Sequence, residues 1–151
     1  FVFANVVMYD TVPGNCCIGG YHSAFNNSKF GGQAQTYGNG AFLTNTAFGA
    51  AGGDIAILSH EVIEWLADPF VNNPTPAWGH LGQVAGCQNN LETGDPLTGT
   101  SFGHLMPNGK TYTVQDEAFT SWFYRESPST GIGGRYSYNG TFMTDAGPVC
   151  N

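Results

Sequence analysis

The stretch "ILSHEVIEWLADP", from Ile57 to Pro69, decides the fold class because it predicts the one strong helix of this chain. Two glycines precede Asp54, a residue type that favours a helix N-cap, and Pro69 stops the helix at its far end. The pattern therefore predicts a helix from about Asp54 to Ala67. At about 100° of rotation per residue, its bulky apolar side chains share one arc, which we expect to be buried: Ile55, Leu58, Val62, Trp65 and Leu66.

The polar side chains of this helix share a different arc. His60, Glu64 and Asp68 follow one another at intervals of four residues, and Glu61 lies beside that line. Acidic groups along one helix face repel each other, and the helix dipole disfavours them toward the C-terminal end. The whole chain has only four Lys and Arg residues to neutralise them. A bound divalent cation would remove these costs, so the pattern favours a metal site over a solvated face.

The order His60-Glu61-x-x-Glu64 differs by one residue from the motif H-E-x-x-H. In that motif two histidines one turn apart bind zinc, and the glutamate between them acts as a general base. We therefore expect His60 and Glu64 to be metal ligands and Glu61 to be the base, because a carboxylate can also bind zinc. Zinc is the expected cofactor, and calcium or manganese are the alternatives that oxygen ligands suit. Asp68 would orient His60 from outside the ligand set, bind the metal itself, or cap the turn before Pro69.

The third metal ligand should come from the long segment between Val71 and Lys110, which is rich in Pro, Gly and Asn. Loops of this length are usually functional. Glu92 and Asp95 in "CQNNLETGDPLTG" are the best candidates. The histidines of the same segment are alternatives, although a lone loop histidine more often has a hydrogen-bonding role: His80 and His104.

Two resemblances follow from these motifs. Through His60-Glu61-x-x-Glu64 the chain resembles the zincin-like metallopeptidases, in which gluzincins take a third ligand from a glutamate at a distance similar to that of Glu92. More of the chain resembles the secreted phosphate-induced (EXORDIUM-like) proteins and their bacterial relatives. That likeness rests on four segments, "VVMYD", "GYHSAF", "SHEVIEWLADPFVN" and "NLETGD". The residues that match the family pattern within them are Tyr9-Asp10, Gly20-Tyr21-His22, Ser59 to Glu64, Asp68-Pro69 and Glu92 to Asp95. The resemblance implies a secreted protein with a zincin-like domain and a cell-wall or extracellular role.

The same resemblance directs attention to His22. A histidine or tyrosine outside the ligand set often stabilises the oxyanion that forms when water attacks a carbonyl. Tyr21 or His22 would take that catalytic role, and the alternative for His22 is a structural hydrogen bond at a strand end.

The rest of the chain favours strands and loops. Residues 1–9 are an apolar, β-rich run that predicts a buried strand, "YHSAF" begins another strand, and residues 28–48 read as a hairpin broken by glycines. "RYSYNGTFM" predicts a hairpin with Asn139-Gly140 as its turn. We find no repeat or linker, so residues 1–151 should form a single α+β domain with a mixed or antiparallel sheet.

Composition excludes two classes of partner. The chain has 151 residues and a formal charge of -7, and its four basic residues cannot form the patch that nucleic-acid binding needs. No apolar run approaches the roughly 20 residues of a membrane span. With 41% apolar and 14% aromatic residues, the chain can instead build a folded core.

Four cysteines predict two disulfides. Adjacent cysteines rarely bridge each other, so we expect Cys16 and Cys17 to pair with Cys87 and Cys150, in either order. Disulfides indicate an extracellular or periplasmic setting. The chain begins "FVFANVVMYD", with neither Met nor a charged leader, which is typical of a mature fragment of a longer secreted precursor.

Two functional hypotheses follow. The first is a secreted zinc-dependent metallohydrolase, a peptidase in which Glu61 activates the attacking water and loops around Trp78 and Phe102 shape the cleft for a peptide or protein substrate. The second is a non-catalytic extracellular module that a metal stabilises. In it, aromatic residues such as Trp78 and Trp122 would bind cell-wall glycan or a partner protein.

Overall fold

The computed structural model describes residues 1–44, 48–142 and 150, and these residues have an α+β fold that is rich in strands. The strands are β1 (Val2–Ala4), β2 (Met8–Tyr9), β3 (Cys16–Ile18), β4 (Gly20–Asn27), β5 (Gln33–Phe42), β6 (Pro74–Leu81), β7 (Val84–Asn90), β8 (Ser101–Leu105) and β9 (Thr111–Gln115). The helices are α1 (Ala56–Ala67) and the single turn α2 (Thr120–Phe123). The predicted fold class is therefore confirmed, whereas the zincin-like domain stays a prediction.

The largest sheet is mixed and has three strands in the order β1-β5-β4. β4 and β5 form an antiparallel hairpin in which Gly20 lies opposite Gly40 and Asn27 lies opposite Gln33. β1 runs parallel to β5 at the other edge. Three antiparallel pairs complete the strands, namely β2-β3, β6-β7 and β8-β9. The predicted strand at "YHSAF" and the hairpin that follows it are thus present, while residues 45–47 of the predicted hairpin lie outside the described residues.

The core lies between the β6-β7 pair and α2. Its centre is a set of edge-to-face aromatic contacts, with ring centroids 5.4 Å apart for Trp78 and Phe123 and 5.8 Å apart for Trp78 and Trp122. The indole Nε1 of Trp78 donates to the carbonyl of Asn90, which satisfies its polar atom. Both tryptophans are at most 2% exposed. They therefore hold the core together. Their burial leaves no surface for shaping a cleft or binding glycan, so the roles that we expected for them from the sequence were wrong.

The prediction of one buried strand over residues 1–9 was wrong. The segment forms two short strands in different sheets, β1 and β2, and Phe1 is 80% exposed. β1 is an edge strand that pairs with β5 on one side, and its side chains Val2 and Phe3 are 55% and 43% exposed.

The predicted hairpin at "RYSYNGTFM" is also absent over its described part, Arg135 to Phe142. Ser137 to Gly140 do form a turn, in which the Gly140 amide donates to the Ser137 carbonyl. The buried carboxylate of Asp116 accepts from the Ser137 hydroxyl and from the Asn139 amide. This carboxylate, rather than cross-strand pairing, organises the turn. Met143, the last residue of the predicted hairpin, lies outside the described residues.

The disulfide pairing differs from the prediction. Cys87 of β7 pairs with Cys150, and Cys16 is bonded to its neighbour Cys17. Cys150 packs against the β6-β7 hairpin beside Gly79, whereas Cys16 and Cys17 lie on the exposed strand β3. The pairing of Cys87 with Cys150 depends on which segments pack together, and the sequence alone does not show this.

In the part of the chain that the structure describes, no helix is both long enough and apolar enough to span a bilayer.

Candidate metal centre

The polar face of α1 is its buried face. His60, Glu61 and Glu64 are buried, whereas Val62 is 43% exposed and Leu66 is 67% exposed. The helix packs this polar face against β4 and β5 on one side and against β9 on the other. The helix itself matches the prediction within two residues, but the predicted buried arc was wrong for Val62 and Leu66.

The N-cap prediction was also wrong. Ile55 occupies the N-cap position and makes no side-chain cap. The carboxylate of Asp54 instead accepts from the Thr113 amide at 2.9 Å. The residue therefore ties the start of α1 to β9, so the entry of the helix is set by a tertiary contact.

Side chains from two further segments meet the buried face of α1. β4 contributes His22, and the segment after β7 contributes Glu92 and Asp95. All six residues predicted as ligands or catalytic groups come together, and each of their side chains is at most 10% exposed. We call this set the acidic cluster: His22, His60, Glu61, Glu64, Glu92 and Asp95.

Most histidine-carboxylate spacings within the acidic cluster suit metal ligands better than hydrogen bonds. His60 Nε2 lies 3.0 Å from Glu64 Oε2, which is a hydrogen-bonding distance. The other histidine-carboxylate contacts are all 3.6 Å, from His60 to Asp95 and from His22 to Glu61, Glu64 and Glu92. A distance of 3.6 Å is too long for a hydrogen bond. Around a tetrahedral zinc with bonds of about 2.0 Å, neighbouring ligand atoms are about 3.3 Å apart, so a cation fits this spacing.

Neutral donors orient the carboxylates of the cluster. Glu64 Oε1 accepts from the backbone amides of Gly94 at 2.9 Å and Asp95 at 3.2 Å. Asn90 donates to Glu92 Oε1 at 2.6 Å. These bonds hold one oxygen of Glu64 and one of Glu92, and the other oxygen of each faces a histidine. Metal-binding carboxylates are typically held in this way by groups outside the ligand set.

Asp95 is held by two amide side chains. Gln83 Nε2 donates to its Oδ1 at 2.5 Å and Gln88 Nε2 donates to its Oδ2 at 3.0 Å. Oδ1 also faces His60 Nε2. Since a carboxylate oxygen has two lone pairs, Oδ1 can accept from Gln83 and still bind a cation.

His60 is positioned by two residues that the sequence did not single out. The amide nitrogen of Gln115, the last residue of β9, lies 2.8 Å from His60 Nδ1 and donates to the Gly94 carbonyl at 2.8 Å. Gly94 packs directly against the imidazole ring, where a Cβ would collide with it. Neither residue carries a charge or a motif, so the sequence holds no signal for its role.

Glu117 is a further buried carboxylate that sequence reasoning missed. Neither of its carboxylate oxygens has a hydrogen-bond partner. The charges of His60 and Glu64 act on it, which places it beside the acidic cluster. The acidic pair Asp116-Glu117 was the available signal.

The electrostatics show a surplus of negative charge. Burial disfavours the charged form of His60, but the Glu64 carboxylate outweighs burial and raises the pKa of His60 to about 10. Burial also opposes ionisation of Glu64, yet the adjacent His60 charge lowers the Glu64 pKa. Burial and the Glu64 charge raise the pKa of Glu92 to about 8 and that of Asp95 to about 6. Burial raises the pKa of Glu117 well above its usual range. Protons thus neutralise part of the cluster, and a metal ion would compete with them for the same atoms.

Three groups of the described residues could hold a metal ion, but one of them, His80, Cys87 and Cys150, includes both cysteines of a disulfide. The other two groups share Glu64. Of these two, one comprises His60, Glu61 and Glu64, and the other comprises His22, Glu64 and Glu92, with ligand atoms within 4.8 Å of one another in each. The metal-binding prediction is therefore supported at the level of a candidate site, without identifying the metal.

The remaining candidates lie elsewhere. Asp68 is fully buried and accepts from the backbone amides of Asn72 and Asn73, so it holds the turn after α1 and does not orient His60. His80 lies 3.8 Å from Cys87 Sγ, which is committed to the disulfide with Cys150. The ring of His104 packs against the rings of Phe102 and Tyr138.

A cavity of about 490 Å³ reaches the cluster. His60, Glu61 and Gln115 line it, together with Gly19 and Gly20 at the start of β4. A Cβ on Gly20 would lie only 2.6 Å from Glu61 Cγ, so a glycine is needed where the backbone passes Glu61. A second, mostly apolar cavity of about 600 Å³ lies between α1 and the β8-β9 pair, with Phe102 on its wall.

Comparison with protein-family models, with curated proteins and with solved structures finds no match for this chain.

Proposed function

We propose that this chain is a secreted metal-dependent hydrolase that cleaves peptide bonds. The observation that carries the proposal is the convergence of two histidines and four carboxylates in one buried cluster, where four of the five histidine-carboxylate contacts are too long for hydrogen bonds and suit an ion. No Lys or Arg side chain neutralises the cluster, which supports a cationic occupant. Three of the four basic side chains are exposed, namely Lys29, Lys110 and Arg135. The fourth, Arg125, donates to the Ala77 carbonyl outside the cluster.

His60, Glu64 and Asp95 would hold the metal ion. His60 Nε2 faces Glu64 Oε2 at 3.0 Å and Asp95 Oδ1 at 3.6 Å. Glu92 faces His22 instead, and this favours Asp95 over Glu92 as the third ligand. One imidazole and two carboxylates suit zinc, and oxygen-rich sets also suit manganese or calcium.

The bound metal would act as a Lewis acid on the substrate carbonyl and on the attacking water. Glu61 would take the proton from that water and pass it to the leaving amine. Its Oε2 has no hydrogen-bond partner, and the residue lines the cavity where a substrate could enter. Burial raises the pKa of the Glu61 carboxyl, which suits a base that works near neutral pH.

Glu61→Gln tests this proposal. The amide keeps the size of the side chain but cannot accept a proton, so turnover of casein or a peptide library should fall about 10²- to 10⁴-fold. Metal content, measured by inductively coupled plasma mass spectrometry, should stay at the wild-type level. Glu126→Gln is the matched control, because Glu126 bonds Thr130 outside the cluster. Equal turnover in wild type and Glu61→Gln would remove Glu61 as the base.

A second candidate function is a non-catalytic extracellular module stabilised by its metal. The near-complete burial of the cluster favours it, since structural metal sites are closed. Exposed aromatic side chains on one face of the β4-β5 hairpin, where Tyr37 makes edge-to-face contacts with Tyr21 and Phe25, offer a surface for glycan or a partner protein. A wild-type protein that carries stoichiometric metal and hydrolyses no peptide would favour this module over the hydrolase.

A further inference from the structure

The proposed metal site leaves one side of the acidic cluster without a partner. His22 is buried on β4, and its Nε2 has no hydrogen-bond partner while facing Glu92 Oε2 at 3.6 Å. Its Nδ1 faces Glu61 Oε2 and Glu64 Oε2 at the same distance. An imidazole buried among three carboxylates, too far from each for a hydrogen bond, lacks the polar contacts that burial demands.

His22 approaches the proposed base Glu61 from the side of the cluster, without lining the cavity. Among the described residues that line the 490 Å³ cavity are His60 and Glu61, but not His22. The position therefore disfavours the oxyanion role that the sequence suggested and leaves the ring facing carboxylates alone.

The charge count points the same way. The acidic cluster contains four carboxylates: Glu61, Glu64, Glu92 and Asp95. When both imidazoles act as neutral ligands and all four carboxylates are ionised, one divalent cation leaves an excess of two negative charges, whereas two cations leave none. Uncompensated charge in a buried site carries a large desolvation free energy, so two cations suit the cluster better than one.

We propose that His22, Glu64 and Glu92 form a second divalent-cation site, bridged to the first by the Glu64 carboxylate. The inference rests on the proposed first site at His60, Glu64 and Asp95. Glu64 Oε2 is the shared atom, since it faces both His60 Nε2 and His22 Nδ1. Ions in carboxylate-bridged pairs lie about 3.5–4 Å apart, which a single bridging oxygen allows. One imidazole with two carboxylates is a ligand set for zinc or manganese.

Metal stoichiometry of the full chain tests the second site. The protein is stripped with a chelator, reloaded with Zn²⁺, passed through a desalting column and analysed by mass spectrometry for zinc per chain. We expect two zinc ions in wild type and in the control Glu126→Gln, and one in Glu92→Gln. Glutamine keeps an oxygen that can accept the hydrogen bond from Asn90, so this variant removes the charge with little change of shape.

Electron paramagnetic resonance of the Mn²⁺-loaded protein gives an independent measurement. A bridged pair should show exchange-coupled manganese in wild type and isolated manganese in Glu92→Gln. If Glu92→Gln does not fold, the wild-type zinc count and spectrum decide alone.

The outcomes separate the two proposals. One zinc per chain and an uncoupled spectrum in wild type would overturn the second site and leave the hydrolase proposal standing. Two zinc ions that persist in Glu92→Gln would place the second ion elsewhere and also overturn it. No zinc in wild type would remove both sites.

Discussion

Gly94 shows how closely the backbone approaches the reactive side chains. Its amide donates to Glu64, its carbonyl accepts from Gln115, and its α-carbon lies against the ring of His60. Its backbone angles, φ -86° and ψ -30°, are ones that any residue adopts. The position therefore requires glycine for space and not for conformation. At the scale of single residues, such contacts determine whether His60 and Glu64 share one ion.

Gly94→Ala should weaken metal binding. The added methyl group would collide with His60 and turn its ring away from Glu64, so zinc affinity should fall about 10- to 100-fold, as it does when groups that orient ligands are lost. Isothermal titration with Zn²⁺ measures the change.

Gly86→Ala is the control for this experiment, because a Cβ at Gly86 meets nothing within 4 Å. Its zinc affinity should match that of wild type. Unchanged affinity in Gly94→Ala would show that His60 does not bind the ion.

At the scale of elements, α1 buries its polar face and exposes apolar side chains, the reverse of what is usual for a helix of a small domain. Its acidic face packs on two sheets, and its apolar side chains Val62, Ile63 and Leu66 face outward. Burial of acidic groups has a large desolvation cost, and a bound cation would offset it. The helix thus serves mainly to position the cluster, and the core that stabilises the domain lies elsewhere, around Trp78 and Trp122.

Two leucine truncations test this division. Leu66→Ala, at a side chain 67% exposed, should change the free energy of unfolding by less than about 0.5 kcal/mol. Leu97→Ala, at a side chain 2% exposed in the core, should cost about 2–5 kcal/mol. Urea denaturation followed by circular dichroism measures both. Because the chemical change is the same, a larger loss for Leu66 than for Leu97 would mean that the apolar face of α1 is covered in solution.

At the scale of the whole molecule, the site exists only when distant segments assemble. β4, α1, the segment after β7 and β9 each contribute a group, and the Cys87–Cys150 bond ties β7 to the end of the chain. Metal binding should therefore be coupled to the stability of the entire fold.

Metal-free protein should lose thermal stability as the pH rises from about 5 to about 9. Glu92 in the native state keeps its proton up to a pKa of about 8, and His60 keeps its proton up to about 10, whereas the unfolded chain releases these protons near 4.5 and 6.5. The native state therefore binds more protons, and stability falls with rising pH, most steeply between 6.5 and 8, where both groups differ.

Calorimetry across this pH range, with and without Zn²⁺, checks the prediction. Zinc should raise the melting temperature most at high pH, because protons no longer compete for the ligands. In Glu92→Gln the metal-free curve should be flatter, while Glu126→Gln should follow wild type. A metal-free melting temperature that rises from pH 6.5 to 8 would contradict the assignment of these protons.

Much of the site was predictable because it depends on local geometry. His60, Glu61 and Glu64 share a helix face through their spacing alone, and Glu92 and Asp95 were found as acids in a long loop. Strand β4 and the α+β class followed from residue patterns in the same way. Gln115 and Gly94 could not be found, since an amide and a glycine have no distinctive pattern in one sequence, and Glu117 was missed although it belongs to an acidic pair.

The sequence by itself determined the helix, its polar stripe and the chemistry that this stripe can support, because neighbours along the chain set helical periodicity. Only the tertiary structure decided which face of α1 is buried, that His22 lies opposite Glu92, and that Cys87 pairs with Cys150. These features depend on which segments, far apart in the chain, pack together. That choice is made by the packing of the whole fold, and the order of residues in any one segment does not reveal it.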